Sequence, residues 1–238
     1  MNGSMMVALF IASAVRMAIP LLLGTVGESI TERSGHLNLG VEGLMMMGAA
    51  AGYVAAYRTD NIMLAMLAGM AGAGLGSLIY AFLTITMRTR QDVTGLALTI
   101  FGTGFANTLG KALAGTTTSA RIRAFAQAQP LKPDLSAIQD VPVLGPVMEF
   151  VSAAFLQHNL FIYLSLLVAI FVYWYLFHTR LGLHVRSTGE NPSAADASGI
   201  RVTSLRYIHV IVGGMLCGLG GFYISVINVG SWLDDIIA

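Results

Sequence analysis

The stretch ERSGHLNLGVEGLMMMGAA, residues 32–50, places an amide and a carboxylate, Asn38 and Glu42, at helical spacing at the mouth of an otherwise apolar segment. Arg16 and Asn107 are the other conspicuous polar groups inside apolar runs. In lipid an ionisable side chain costs several kcal/mol, so Arg16 and Glu42 must face a bundle interior or a cavity. Two roles follow: a buried ion pair or hydrogen-bonded helix contact, or the polar lining of a solute path. Asn107 has the same two options. Bond-making chemistry finds less support. FGTGFANTLGKA, 101–112, fails the phosphate-loop spacing at Phe105 and ends in Ala112 rather than Ser or Thr. It fails the dinucleotide spacing at Asn107. His36, His158, His178, His184 and His209 are scattered, without metal-ligand spacing, and nothing in the sequence brings serine, histidine and aspartate together. Cys217 lies alone in an apolar run, which suits a small buried residue.

The elements that position these residues must cross a membrane. The 238 residues are 55% hydrophobic and 11% charged, against about 25% charged in an ordinary soluble domain. Mean hydropathy is +0.73. Net charge is +1, and no basic cluster covers a face, so no nucleic-acid partner is expected. Uncharged runs of about 20 residues cross a bilayer. Residues 62–87, 159–179 and 207–233 qualify outright, 93–110 nearly so, 5–27 if Arg16 is tolerated and 37–57 if Glu42 is. Their continuous apolarity predicts helices rather than a barrel. The first run lacks a cationic leader and reads as a retained span. Gly48/Gly52, Gly72/Gly76 and Gly214/Gly218 have the spacing of close helix packing.

Charge sets the orientation. Arg33, Arg88, Arg90, Arg180, Arg186, Arg201 and Arg206 fall on one side of the alternating spans, which is therefore expected to be cytoplasmic. Arg58, Lys111, Arg121, Arg123 and Lys132 fall on the other. Residues 115–158 become an external loop with a short helix near Pro146, and 180–206 the main cytoplasmic loop. In that loop GENPSAAD predicts a turn at Gly189–Pro192 and then a short helix, with Asn191 as N-cap, Pro192 in its first turn and Gly199 at its end. A capped helix flanked by arginines is a rigid protrusion, suited to docking a cytoplasmic partner.

GESITERSGHLNLGVEGLMMMGA and RSTGENPSAADASGI together resemble the membrane permease subunits of ATP-binding-cassette importers of the branched-chain amino acid/ribose type. The nearer branch is the one that carries nucleosides and simple sugars. PLLLGTVGE, VPVLGP (141–146) and TRLGLHVRSTGENP extend the agreement along the chain. The resemblance implies two permease subunits, alike or different, around a pathway. It also implies a separate cytoplasmic ATPase that binds ATP, and an external lipoprotein-type protein that delivers the solute. It maps ATPase coupling onto Gly189, Glu190, Asn191, Pro192, Ala194, Ala195 and Gly199, and places Asn38–Gly43 near the central path. Relatives continue beyond SWLDDIIA, so the chain reads as C-terminally truncated.

The expectation is an all-α, polytopic transmembrane helix bundle of about six spans. It forms one permease domain over 1–238, in a bacterial or archaeal plasma membrane and in contact with lipid. It is not itself an enzyme and has no cofactor or metal of its own. Asn38, Glu42 and Asn107 are the candidate pathway residues. For a neutral nucleoside or sugar, Asn38 is the better pathway residue and Glu42 is expected to be a paired or hydrogen-bonded brace. The alternatives are a branched-chain amino acid importer subunit, whose zwitterionic substrate wants charge partners, an ATPase-independent channel or membrane enzyme using Arg16 and Glu42, and a purely structural subunit.

Overall fold

Lipid offers backbone N–H and C=O groups no partner, so each apolar run must satisfy its own by coiling into a helix. The computed structural model, which describes residues 3–131 and 144–232, is built this way. Lys132, the first half of VPVLGP and the last six residues of SWLDDIIA lie outside the described residues. The helices are α1 (Gly3–Arg33), α2 (Val41–Thr59), α3 (Ile62–Ala81), α4 (Gln91–Gly110), α5 (Ala120–Gln127), α6 (Leu144–Val151), α7 (Leu160–His178), α8 (Arg180–Glu190), α9 (Pro192–Ala197) and α10 (Val202–Phe222). Wider π-helical turns extend α3 over Phe82–Thr86, α6 over Ser152–Leu156 and α10 over Tyr223–Val229.

Among the described residues, four segments are long and apolar enough to cross a membrane: Met5–Arg33, Ile62–Thr86, Leu160–His178 and Val202–Val229. The expected second and fourth spans, α2 and α4, are helices of 19 and 20 residues but less apolar. For α2 the reason is its position. Leu44, Met45, Met46, Met47, Ala49 and Ala50 are all buried in protein, so its apolarity is not set by lipid.

The centre of the bundle is α2, α3 and α10 packed on one another, with α1 against α10 and α4 against α2. Small residues allow this. A Cβ on Gly48 would come within 2.5 Å of the Gly218 carbonyl oxygen, so α2 and α10 touch backbone to backbone there. Gly72 likewise meets α2 at Ala51.

Two boundaries differ from the sequence reading. α1 does not stop at Gly27. It runs to Arg33, because charged residues end an apolar run without breaking the i to i−4 ladder. Residues 180–190 are a helix rather than open loop, started by the Thr179 hydroxyl, which accepts from the Gly182 N–H at 3.0 Å. The 115–158 segment contains α5 as well as α6, whose backbone starts at Leu144, close to the expected Pro146.

Candidate functional site

Between α1 and α2 the chain makes an irregular turn, Ser34–Gly40, with Gly35 at φ +92°. Irregular backbone at the end of a span is stable only where other groups satisfy it. The Glu28 carboxylate accepts from the Asn38 N–H at 2.7 Å. Gln91 of α4 accepts from the Leu37 N–H at 2.8 Å and donates to the Gly35 carbonyl at 3.4 Å. Tyr80 of α3 donates to the Leu37 carbonyl at 2.7 Å, and Thr99 of α4 to that of Leu39 at 3.3 Å. The Asn38 side-chain oxygen accepts from the Gly40 N–H at 2.9 Å, closing the turn on itself. Three helices thus pin one seven-residue turn.

That turn borders a cavity of about 1040 Å³. Its polar lining comes from Thr25, Glu28 and Glu32 of α1, Asn38, Glu42 of α2, Thr99 of α4 and Asn228 of the π-helical turn after α10. Met17, Leu21 and Met45 contribute apolar wall. No arginine, lysine or histidine lines it among the described residues. Such a surface accepts hydrogen bonds from hydroxyls and, among the described residues, offers an anion no positive charge.

The structure brings Asn38 and Glu42 together on this cavity. Asn38 is buried, and its oxygen is committed to the turn. Glu42 is exposed to the cavity and makes no hydrogen bond or ion pair among the described residues, so the expected brace is Glu28 instead. Arg16 is not paired with Glu42. It donates to the Ser13 hydroxyl at 3.3 Å and lines a separate polar cavity of about 320 Å³ with His158, Asn159 and Asn228. Asn107 is half-buried, roughly two turns beyond Thr99 on α4, and does not line the larger cavity.

Glu28, Glu32, Thr25, Thr99 and Asn228 were not singled out from the sequence. Glu28 and Glu32 carried a readable signal, two carboxylates four apart and hence on one helical face. Ending the span at Gly27 hid it.

The loop 180–206 folds as α8, α9 and a short link. Asn191 caps α9, its side-chain oxygen accepting from the Ala194 N–H at 3.0 Å, and Pro192 opens the helix. Gly199, at φ +81°, follows its end. Glu190 and Asn191 are exposed, Ala195 is buried, and Gly189 packs against the turn described above. A Cβ on Gly189 would lie 2.5 Å from the Arg33 carbonyl oxygen and 3.1 Å from the Gly35 nitrogen. Arg206 of α10 donates to the Thr188 carbonyl at 3.4 Å. Beside it His36 is buried, and burial together with the Arg206 guanidinium pushes its imidazole down to about 4.

A family profile described as the permease component of the branched-chain amino acid transport system matches residues 10–237. The chain belongs to this family. The chain is similar to a guanosine ABC transporter permease of Bacillus subtilis, 36% identical over 212 residues, which are 86% of this chain and 63% of the relative. A Haloferax volcanii protein provisionally named a glucose ABC transporter permease is 33% identical over 224 residues, 93% of this chain and 64% of the relative. A nucleoside ABC transporter permease of Lactococcus lactis is 31% identical over 234 residues, 93% of this chain and 68% of the relative. The chain therefore spans 63–68% of the length of these relatives. No solved structure matches it. Family and apolar helices together make it a multi-pass plasma-membrane protein.

Proposed function

We propose that the chain is a permease subunit of an ATP-driven importer of nucleosides or simple sugars. It would work with a second permease subunit, a cytoplasmic ATP-binding-cassette ATPase and an external lipoprotein-type binding protein. The observation that carries the substrate class is the lining of the 1040 Å³ cavity, rich in carboxylate, amide and hydroxyl groups and without a basic residue. Nucleosides and sugars share a hydroxylated ring, whose O–H groups donate to such acceptors. A branched-chain amino acid brings its own carboxylate, which finds no cation there. The names of the guanosine, nucleoside and glucose relatives point the same way.

The route of coupling follows from contacts. The ATPase docks on the capped protrusion Glu190–Gly199. Its movement reaches Gly189 at the end of α8, and Gly189 bears on the Arg33 carbonyl and Gly35. The turn that follows Arg33 and contains Gly35 carries Asn38, held by Glu28 at the cavity wall. Displacing α9 therefore moves the cavity wall through packed backbone, with no flexible linker between.

The test is ATP-dependent uptake of labelled guanosine, glucose and leucine by the transporter purified with its partners from its own host. Uptake of guanosine or glucose, unaffected by excess leucine, is expected. Uptake of leucine alone would overturn the substrate class, and uptake without ATP would overturn the importer reading.

A further inference from the structure

Arg33, the last residue of α1, and Arg186 of α8 both lie over the Phe177 ring of α7, with guanidinium carbons 5.6 and 5.1 Å from its centroid. Two like charges are thus gathered around one aromatic ring. Neither makes an ion pair among the described residues, where the ion pair present is Arg90–Asp92. The Arg186 Nε is buried and has no hydrogen-bond partner. Arg180, exposed at the start of α8, adds a third positive charge to the same corner.

The surroundings say what neutralises them. Phe177 continues an exposed apolar face of α7 that includes Ile170, Tyr173 and Trp174, on a helix apolar enough to cross a membrane. Leu181 and Leu183 of α8 are also exposed at this corner. Cations at the end of a lipid-facing aromatic and aliphatic surface match the phosphate and acyl chain of one molecule. We propose that Arg33 and Arg186, seated on Phe177, bind the headgroup of an anionic phospholipid whose chains lie along α7. Guanidinium forks hold phosphate oxygens through paired N–H donors, and both guanidinium carbons lie within 5.6 Å of the same ring centroid. This rests on the chain spanning a membrane, not on what it transports.

Trp174 is a built-in reporter, because it is 52% exposed on the same face while Trp232 is 1% exposed and shielded from lipid. The full chain is reconstituted in vesicles of phosphatidylcholine containing either brominated phosphatidylglycerol or brominated phosphatidylcholine, and tryptophan quenching is titrated. Brominated phosphatidylglycerol should quench at lower mole fraction. In R33Q/R186Q that preference should fall by about fivefold for each arginine removed, and R33K/R186K should keep part of it. Equal quenching by the two lipids in the unaltered protein overturns the proposal, even if the glutamine variant does not fold. So does a preference that survives in R33Q/R186Q. Loss of the preference on adding inorganic phosphate at constant ionic strength would assign the pair to a free anion instead. Its disappearance in the transporter co-purified with its ATPase would make the face a protein interface.

Discussion

The Glu28 carboxylate accepts from the Asn38 N–H at 2.7 Å, joining α1 to the turn that leads into α2. This bond explains why a carboxylate lies within the last turns of an apolar helix. It satisfies a backbone donor of the irregular turn that no helix can reach, and it sets the wall of the cavity.

Glu28→Ala should destabilise the bundle by about 1–3 kcal/mol, because it leaves a partly buried donor unpaired. Glu28→Gln keeps an acceptor oxygen and should lose less. Thermal unfolding in detergent measures both. Equal stability of the alanine variant and the parent would remove Glu28 from its bracing role.

Gly189→Ala and Gly199→Ala separate close approach from backbone strain. At Gly189 the new Cβ meets the Arg33 carbonyl oxygen at 2.5 Å, so α8 and the turn must move apart. ATP-dependent uptake should drop while the ATPase still co-purifies. At Gly199 nothing lies within 4 Å, and only φ +81° opposes the substitution, at about 1–2 kcal/mol. Uptake by the Gly199 variant should stay near that of the parent at temperatures where both are folded. Similar uptake by the two variants would refute the contact route.

His36 makes stability depend on pH. Its imidazole is held down to about 4 in the fold, by burial and then by Arg206, against about 6.5 when unfolded. The unfolded chain therefore takes up the proton first as pH falls. The contribution is complete above pH 6.5 and is lost between 6.5 and 4, about 3 kcal/mol in all. The melting temperature should fall over that window, and His36→Gln should flatten the slope. An unchanged slope in the variant would place the titration elsewhere.

Tyr80→Phe tests the second anchor of the turn. It removes the donor to the Leu37 carbonyl and should cost about 1 kcal/mol in the same unfolding assay. No loss would mean that water replaces the hydroxyl.

Much of the fold was legible because lipid imposes a simple rule: long uncharged runs must be helical. The cap of α9 was legible too, since Asn191, Pro192 and Gly199 each act through local backbone chemistry that one segment determines. Glu28 was not, because its role depends on a donor ten residues away across a turn. The same limit applies to Glu42. Its spacing from Asn38 put both on one cavity, yet which carboxylate braces the turn is decided by where α1 ends. Gly189 was expected in a turn, but it lies in the last turn of α8, and its contact with Arg33 and Gly35 comes from α8 folding back on α1. The glycine spacings predicted close packing, but the partners, such as Gly218 for Gly48, depend on how α2 and α10 cross.

The central claim is that the capped protrusion transmits ATPase movement to the cavity. The most direct measurement replaces Glu190–Asn191–Pro192 with Gly-Ser-Gly in the assembled transporter and follows ATP-dependent uptake, ATPase co-purification and thermal unfolding together. Uptake and co-purification should be lost while the bundle unfolds at nearly the parent temperature. Retention of both in a folded variant would contradict the account.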